Sequence, residues 1–482
     1  MKKGKVYLVG GGPGDFKLIT VKGQEALKKA DVIVYDRLVN PRLLDYAKPD
    51  CELIFGGKLP KRHIMRQDQL NERLITEAQK GKIVVRLKGG DPSVFGRVGE
   101  EAAELKLAGV DFEIVPGITS GIAAPVYAGI PVTHRDYGTS FAVVTAHGKG
   151  TNGEPIINWS SLIGIDSIAF YMGIANLAHI CEKLMEHGKS PATPVILLQW
   201  GTYSRQKQLQ GTLETIAEQA RMVQFKNPSI IFVGEIVNLR EKMNWFESKP
   251  LFGRHILLAR TSNGDSKLAL ELEEQGAEVV QFPRWKKEAL PIDQKIITKL
   301  TAYERIFFTS PDCMDDFFNV ISRQGIDIRE IKAKLFVGSS KSKQVLLERG
   351  LFARVESLEN IDSENLLLVK DQSLTTEQME TKCDVMITSK KIIDDAYLEV
   401  FERRMENIEL DTVIFPSSQS VNALLKGIQS SGKDPKEFLE NLTIACLGSK
   451  TKRELEGHKL NVTIYPESPK VESLLELLKQ KN

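Results

Sequence analysis

The sequence predicts an α/β protein made of two halves, each with two α/β lobes. Three observations predict it. Short β-branched runs alternate with amphipathic stretches along the whole chain. Many of these runs end in glycine-rich polar turns, the form taken by strands that pass into helices around a largely parallel sheet. A length of 482 residues exceeds one ordinary core and implies two to four domains.

The first unit opens with a strand at residues 5–9, a glycine-rich turn at 10–15 (GGGPGD), a helical stretch at about 21–30 and a second strand at 31–36. A dinucleotide-binding unit is the obvious competitor, and Asp36 stands where its ribose-binding acid would lie. Two features oppose it. The glycines fall at 10, 12 and 14, not at G-x-G-x-x-G, and Pro13 removes a backbone N–H that a pyrophosphate would need. Residues 51–55 form a further short strand, and the basic segment 58–66 reads as a loop over a cleft or as a solvated loop. A helical period covers 67–80. The strand 82–88 then ends in Gly89-Gly90-Asp91-Pro92, either a plain strand-to-helix turn or a loop where a ligand lies against bare backbone. Residues 112–115 run into Pro116-Gly117-Ile118-Thr119-Ser120, again a strand with a glycine and hydroxyls at its end. Strands at about 140–147, 168–173, 194–200 and 230–234 make a second lobe, two of them ending at Met172-Gly173 and Gly201-Thr202. Several strand ends of this kind point to one ligand crevice.

The second half starts after a linker at 247–253. Strands are predicted at about 255–259, 278–282, 305–309, 334–337, 366–369, 384–388, 412–416, 443–447 and 462–465, with amphipathic helices such as 266–275 and 420–430. A weak internal echo pairs FFTSP (307–311) with IFPSS (414–418), and FVGS (336–339) with CLGS (446–449), which suggests two similar lobes facing a cleft.

Composition excludes several classes. Apolar content of 42% and charged content of 27% are those of a globular protein, and a net charge of +2 predicts no nucleic-acid partner. Five scattered cysteines without a CxxC pair indicate neither a disulfide framework nor a zinc site, and the seven histidines show no ligand spacing. No apolar run is long enough for a bilayer; residues 167–181 come closest, but Gly173, Asn176 and His179 interrupt them. The opening Met1-Lys2-Lys3-Gly4 leads straight into a strand and lacks the form of a signal peptide, so a cytoplasmic location is expected.

The first half resembles the tetrapyrrole C-methylases of the class III S-adenosylmethionine (SAM) methyltransferase fold, and within them the uroporphyrinogen-III C-methyltransferases. The motifs that carry the resemblance are VGGGPGD (9–15), VYDRLV (34–39), VVRLKGGDP (84–92), FGRVGEE (95–101), VPGITS (115–120), AGIPVTHR (128–135), YMG (171–173), WGT (200–202) and GEIV (234–237). The resemblance implies that Pro13, Gly89, Gly90, Asp91, Val94, Thr119, Ser120, Met172 and Gly201 hold SAM. It implies Asp36 as proton acceptor and Lys58 as proton donor, with Arg97, Glu100 and Arg135 on the substrate side. It also implies a homodimer and no metal. The implied substrate carries eight carboxylates, for which arginine forks are natural clamps. Gly11, Val98 and the loop 59–61 depart slightly from the pattern.

The second half resembles uroporphyrinogen-III synthase through LLART (257–261), GAEVVQFP (276–283), FFTSP (307–311) and the pair Ser417-Ser418. The resemblance implies domains at 1–246 (lobes about 1–135 and 136–246) and 254–482, with an inserted lobe at about 285–386. It implies hydroxymethylbilane as substrate and no cofactor. Residues 385–389 lack the tyrosine common in that family, and Gly338-Ser339-Ser340-Lys341 replaces its Gly-Pro-x-Thr-Ala turn. Thr309, Ser310, Ser417, Ser418 and Ser449 are candidates to hold carboxylates, and each is equally a candidate helix cap. Together these readings imply a bifunctional enzyme that makes uroporphyrinogen III and methylates it twice to precorrin-2. The alternative is a methyltransferase with a non-catalytic tetrapyrrole-binding C-terminal module.

Overall fold

The computed structural model describes residues 4–57, 67–148, 155–263, 266–372, 383–406 and 408–480. Lys58, the implied proton donor, lies outside the described residues.

The first sheet contains β1 (Lys5–Gly10), β2 (Val32–Tyr35), β3 (Glu52–Phe55), β4 (Ile83–Lys88) and β5 (Asp111–Val115). Its order is β3-β2-β4-β1-β5 and every pairing is parallel. The all-buried sequence VIVY of β2 explains its inner position, because a parallel sheet covered on both faces needs apolar residues at successive positions. One face packs Val6, Leu8, Val34 and Val84 against α2 (Gln67–Gln79) and α3 (Val98–Leu107). The other packs Val9, Ile33, Tyr35, Val85 and Leu87 against α1 (Val21–Lys29). Thr20 starts α1 by accepting a hydrogen bond from the Gly23 N–H at 3.1 Å.

The second sheet contains β6 (Phe141–Thr145), β7 (Ser167–Tyr171), β8 (Pro194–Gln199), β9 (Lys207–Thr212) and β10 (Ser229–Val233), in the order β6-β7-β10-β8-β9. Only β6 and β7 run parallel. The sequence reading did not foresee β9. Its residues KQLQGT are polar because it is an edge strand facing solvent.

The C-terminal half holds β11 (His255–Ala259), β12 (Glu278–Phe282), β13 (Trp285–Ala289), β14 (Arg305–Phe308), β15 (Lys334–Val337), β16 (Ala353–Val355), β17 (Leu366–Gln372), β18 (Asp384–Ile393), β19 (Thr412–Phe415) and β20 (Thr443–Cys446). One sheet has the order β12-β11-β19-β20, the other β13-β18-β17-β14-β15-β16. The second sheet reaches Ile393, past the expected bound near Met386. The register of β18 shifts beside Lys370 and Gln372, and its later residues turn to pair antiparallel with β13. Residues 462–465 do not form a named strand; they make one isolated bridge, Ala445 to Ile464.

The sequence echo has a structural counterpart. Ser310 follows β14 and Ser417 follows β19, and each opens a 13-residue helix with a capping box. Ser339 and Gly448 take the N-cap positions of the helices after β15 and β20, but only Ser339 caps with its side chain, accepting from the Ser342 N–H.

The two halves share a core. The helix Asp395–Met405 of the C-terminal half inserts Tyr397 and Val400 into the cluster formed by Val9, Ile33, Tyr35, Leu43 and Leu44. Around it, Arg42 pairs with Glu273 at 2.7 Å and Arg284 with Asp45 at 3.3 Å. Burial raises the pKa of Glu273, with Arg42 opposing the rise.

Candidate functional site

The glycine-rich turns converge at the carboxyl ends of β1, β4 and β5. Gly12 and Gly90 form an antiparallel bridge, with Gly90 N–H donating to the Gly12 carbonyl at 2.7 Å. A Cβ on Gly10 would lie 2.7 Å from Gly117 Cα and from the Gly90 carbonyl oxygen, so these turns pack as bare backbone. Gly90 itself has φ +69, and a Cβ there would meet only Ser120 N and Thr119 Cα, both at 3.9 Å. That side of the turn faces the N-terminus of α4 (Ser120–Tyr127).

Asp91 ties this arrangement together. Its Oδ1 accepts from Ser93 N–H at 2.7 Å and from the Ser93 hydroxyl, and its Oδ2 accepts from Gly117 N–H at 3.0 Å. The carboxylate therefore links the exit of β4 to the exit of β5. Val94 follows in the same turn, its N–H donating to the Asp91 carbonyl at 3.2 Å.

The second lobe closes onto this floor. The Thr202 hydroxyl accepts from Asp15 N–H at 2.8 Å, beside Pro13. Gly14 sits against Thr202 and Tyr203, and Gly201 against Ala124 of α4, so neither tolerates a Cβ. The Tyr171 hydroxyl bonds Thr119 Oγ1 and accepts from Gly121 N–H. Phe95 meets the Tyr171 ring edge-on at 5.2 Å, and Met172 next to it is 46% exposed. Phe95, Arg97, Met172, Trp200 and Thr202 all have positive φ, between 51° and 71°. Non-glycine residues held there cost conformational energy, and such strain clusters where turns serve a ligand.

A buried charge network underlies Asp36. Arg86 donates from Nη2 to Asp36 Oδ1 at 2.7 Å and from Nε to Glu101 Oε1 at 3.2 Å. Lys88 Nζ and Gln67 Nε2 reach the same Glu101 oxygen at 2.8 and 3.1 Å. Arg86, Lys88 and Glu101 are all buried, whereas the Asp36 side chain is 30% exposed. Burial pushes the Lys88 pKa down, Arg86 adds to the push, and Glu101 opposes it. Sequence reasoning gave none of these three a role. The signal was present: charged residues at alternate positions of an otherwise apolar strand must have buried partners.

The remaining expected residues pair among themselves, cap helices or face solvent. Arg97 and Glu100 pair with each other on the surface, and Arg135 is exposed near the turn closed by His134 and Gly138. In the C-terminal half, Ser310 Oγ accepts from Cys313 N–H at 3.2 Å and Ser417 Oγ from Ser420 N–H at 3.3 Å. Both hydroxyls thus act as caps. Ser418 and Ser449 are the first residues of their helices, and Thr309 donates to the Val369 carbonyl at 3.4 Å. Among the described residues no cluster of three His, Cys, Asp or Glu is placed to hold a metal, and no helix is long and apolar enough to cross a membrane.

Two α/β lobes joined at glycine-rich strand ends, with strained turns and a buried charge network beside a partly exposed carboxylate, form the ligand crevice typical of α/β enzymes, with a second two-lobe unit attached. Comparisons with known proteins make this specific. A family model described as Tetrapyrrole (Corrin/Porphyrin) Methylases matches residues 5–217, and one described as Uroporphyrinogen-III synthase HemD matches residues 380–476. Uroporphyrinogen-III C-methyltransferase of Bacillus subtilis (strain 168) is 44% identical over 458 residues, 95% of this chain and 94% of that one. Porphyrin biosynthesis protein HemD of Ruminiclostridium josui is 32% identical over 507 residues, 99% of this chain and 98% of that one. The structure of Uroporphyrin-III C-methyl transferase from Thermus thermophilus complexed with S-adenyl homocysteine is 34% identical, covers 49% of this chain and 100% of its own, and has a TM-score of 0.43. The chain belongs to the tetrapyrrole (corrin/porphyrin) methylase family, a family of SAM-dependent methyltransferases, and carries a uroporphyrinogen-III synthase domain toward its C-terminus.

Proposed function

We propose that the chain is a bifunctional enzyme of tetrapyrrole synthesis. The C-terminal half closes hydroxymethylbilane to uroporphyrinogen III. The N-terminal half methylates that product at two ring carbons, through precorrin-1, to precorrin-2. SAM supplies the methyl groups and leaves as S-adenosylhomocysteine. The observation that carries this reading is the identity spread over 95% of the chain together with both family matches.

The residues support a division of labour. Gly89, Gly90, Val94, Thr119, Ser120, Met172 and Gly201, with Pro13, hold SAM, and the approach of Gly90 to Thr119 and Ser120 supports this reading. Asp91 holds the turn in shape through Ser93 and Gly117. Positioning of this kind is what methyl transfer from a sulfonium to a nucleophilic carbon requires. Asp36 takes the proton lost from the methylated ring, held in place by Arg86. Lys58 returns a proton, Arg97 and Arg135 meet the substrate carboxylates, and Glu100 lies on the substrate side beside Arg97. We assign the domains to 1–246 and 254–482, with a homodimer in the cytoplasm; the five cysteines, all unbonded, suit a reducing compartment.

A second reading, in which the C-terminal half only binds tetrapyrrole, draws support from the use of Ser310 and Ser417 as caps. Incubating the full chain with hydroxymethylbilane, with and without SAM, separates the two. The bifunctional reading expects the type III isomer without SAM and a dimethylated product with it. Only the spontaneous type I isomer in the first arm refutes the synthase activity. Type III uroporphyrinogen that stays unmethylated in the second refutes the methyltransferase.

A further inference from the structure

The junction between the halves reaches the strand that carries Asp36. Arg403 belongs to the helix Asp395–Met405 of the C-terminal half. Its Nη1 donates to the Tyr35 hydroxyl at 2.7 Å, and its guanidinium lies 3.9 Å from the centre of the Phe55 ring. Tyr35 and Phe55 are register partners at the last rung of the β2–β3 pairing, with rings edge-on at 5.5 Å. Asp36 follows Tyr35 directly, and β3 is the edge strand of the sheet. The ends of short edge strands open most readily, so a clamp at this rung limits the motion of the residues beyond it. The same helix supplies Tyr397 and Val400 to the core beneath β2. Arg403 lies on that face of the sheet, whereas Asp36 and Arg86 meet on the other, so its effect passes through the backbone of β2.

We propose that Arg403 is a positioning residue for methyl transfer, acting across the junction between the halves. The inference rests on the methyltransferase reading. An arginine suits this place because its planar fork can stack on Phe55 while donating to Tyr35, which a lysine cannot do at once. The C-terminal half is thereby part of the methylating machinery and not only its supplier.

Three variants of the full chain test this: Arg403→Ala, Tyr35→Phe and the double variant. Turnover of added uroporphyrinogen III is measured with SAM, SAM affinity by calorimetry, and closure of hydroxymethylbilane separately. Each single variant is expected to lower methylation kcat about three- to tenfold, as a small misplacement of a reacting group does. SAM affinity and hydroxymethylbilane closure should stay unchanged. The double variant should be no worse than either single one, because both remove the same contact. Tyr35→Phe keeps the ring and its packing, so it decides the matter if Arg403→Ala does not fold. Unchanged methylation in Tyr35→Phe overturns the proposal, as does a parallel fall in methylation and closure. A wild-type chain that does not methylate refutes the functional reading itself, so the two failures are distinguishable.

Discussion

Replacing Glu101 by glutamine tests the buried network at its centre. In the folded protein two cations, Arg86 and Lys88, face two anions, Glu101 and Asp36, and the network is neutral. The Glu101 side chain has no exposed surface, so no water can replace its charge. The glutamine keeps the shape and an acceptor oxygen but leaves one positive charge in excess. Breaking a buried pair of this kind costs about 3–5 kcal/mol. Lys88 offers partial relief, because its pKa already lies below the ordinary 10.5 and Glu101 is what opposes the fall. The expected deficit at about pH 7 is therefore near the lower bound, about 3 kcal/mol. The sign with pH follows from proton binding. A lysine with a lowered folded pKa binds fewer protons folded than unfolded between that value and 10.5, so stability rises with pH in that window. Removing Glu101 takes away the main opposition to that fall, so the window widens in the variant and its deficit relative to wild type shrinks as pH rises. Calorimetric unfolding of both proteins at about pH 7 and about pH 9 measures it. A deficit below about 1 kcal/mol at neutral pH, or one that is the same at both, refutes the reasoning. Methylation turnover should fall as well, because Arg86 loses the charged partner that holds it opposite Asp36.

Asp36→Asn should lower methylation turnover far more than SAM affinity; equal losses in kinetics and calorimetry would remove it as the proton acceptor. Gly90→Val places a branched side chain at φ +69 in the space before α4, and should abolish SAM binding by calorimetry while hydroxymethylbilane closure persists. Ser417→Ala should cost about 1 kcal/mol in denaturant unfolding through its lost cap and leave closure intact. Glu77 is held down to about 2 by hydrogen bonds from Lys80 and Lys82, with Arg73 adding its charge. A lowered carboxylate pKa stabilises above its unfolded value and loses that contribution as pH falls through the folded one. Glu77→Gln should therefore cost about 1–2 kcal/mol near neutrality, allowing for the exposed lysines, and the cost should fade as pH falls through about 2, as urea midpoints across that range would report.

Much of this molecule is legible in its sequence where burial dictates residue type. VIVY and IVVRLK read as inner strands because both faces are covered. The turns at Gly10–Gly14, Gly89–Gly90 and Gly117 read as close backbone approaches. The polar strands β9 and β13 escaped notice because KQLQGT faces solvent and WKKEA is exposed beyond its tryptophan. The Arg86–Glu101 pairing joins a strand to a helix 15 residues later, and periodicity has nothing to say about such a partner. The amphipathic face of 395–405 was readable as a helix. Its place against the first lobe was not, since Tyr397 and Val400 look like any core residues until the lobes are docked.

The interleaving of β11, β12 and β19 sets a schedule for synthesis. In the sheet β12-β11-β19-β20, β11 gains its inner partner β19 only some 130 residues after β12 ends, and β20 comes later still. At ribosomal speeds of about 5–20 residues per second, β11 and β12 wait about 6–26 s for their partner. A two-stranded parallel pair is marginal on its own during that interval. The apolar surface around Tyr35 and Phe55 waits longer still, about 17–68 s at the same speeds, for the helix that covers it. A chain stopped between Phe282 and Asp395 therefore carries two unfinished surfaces, one in each half, and ribosome-associated chaperones would meet both on the same nascent chain.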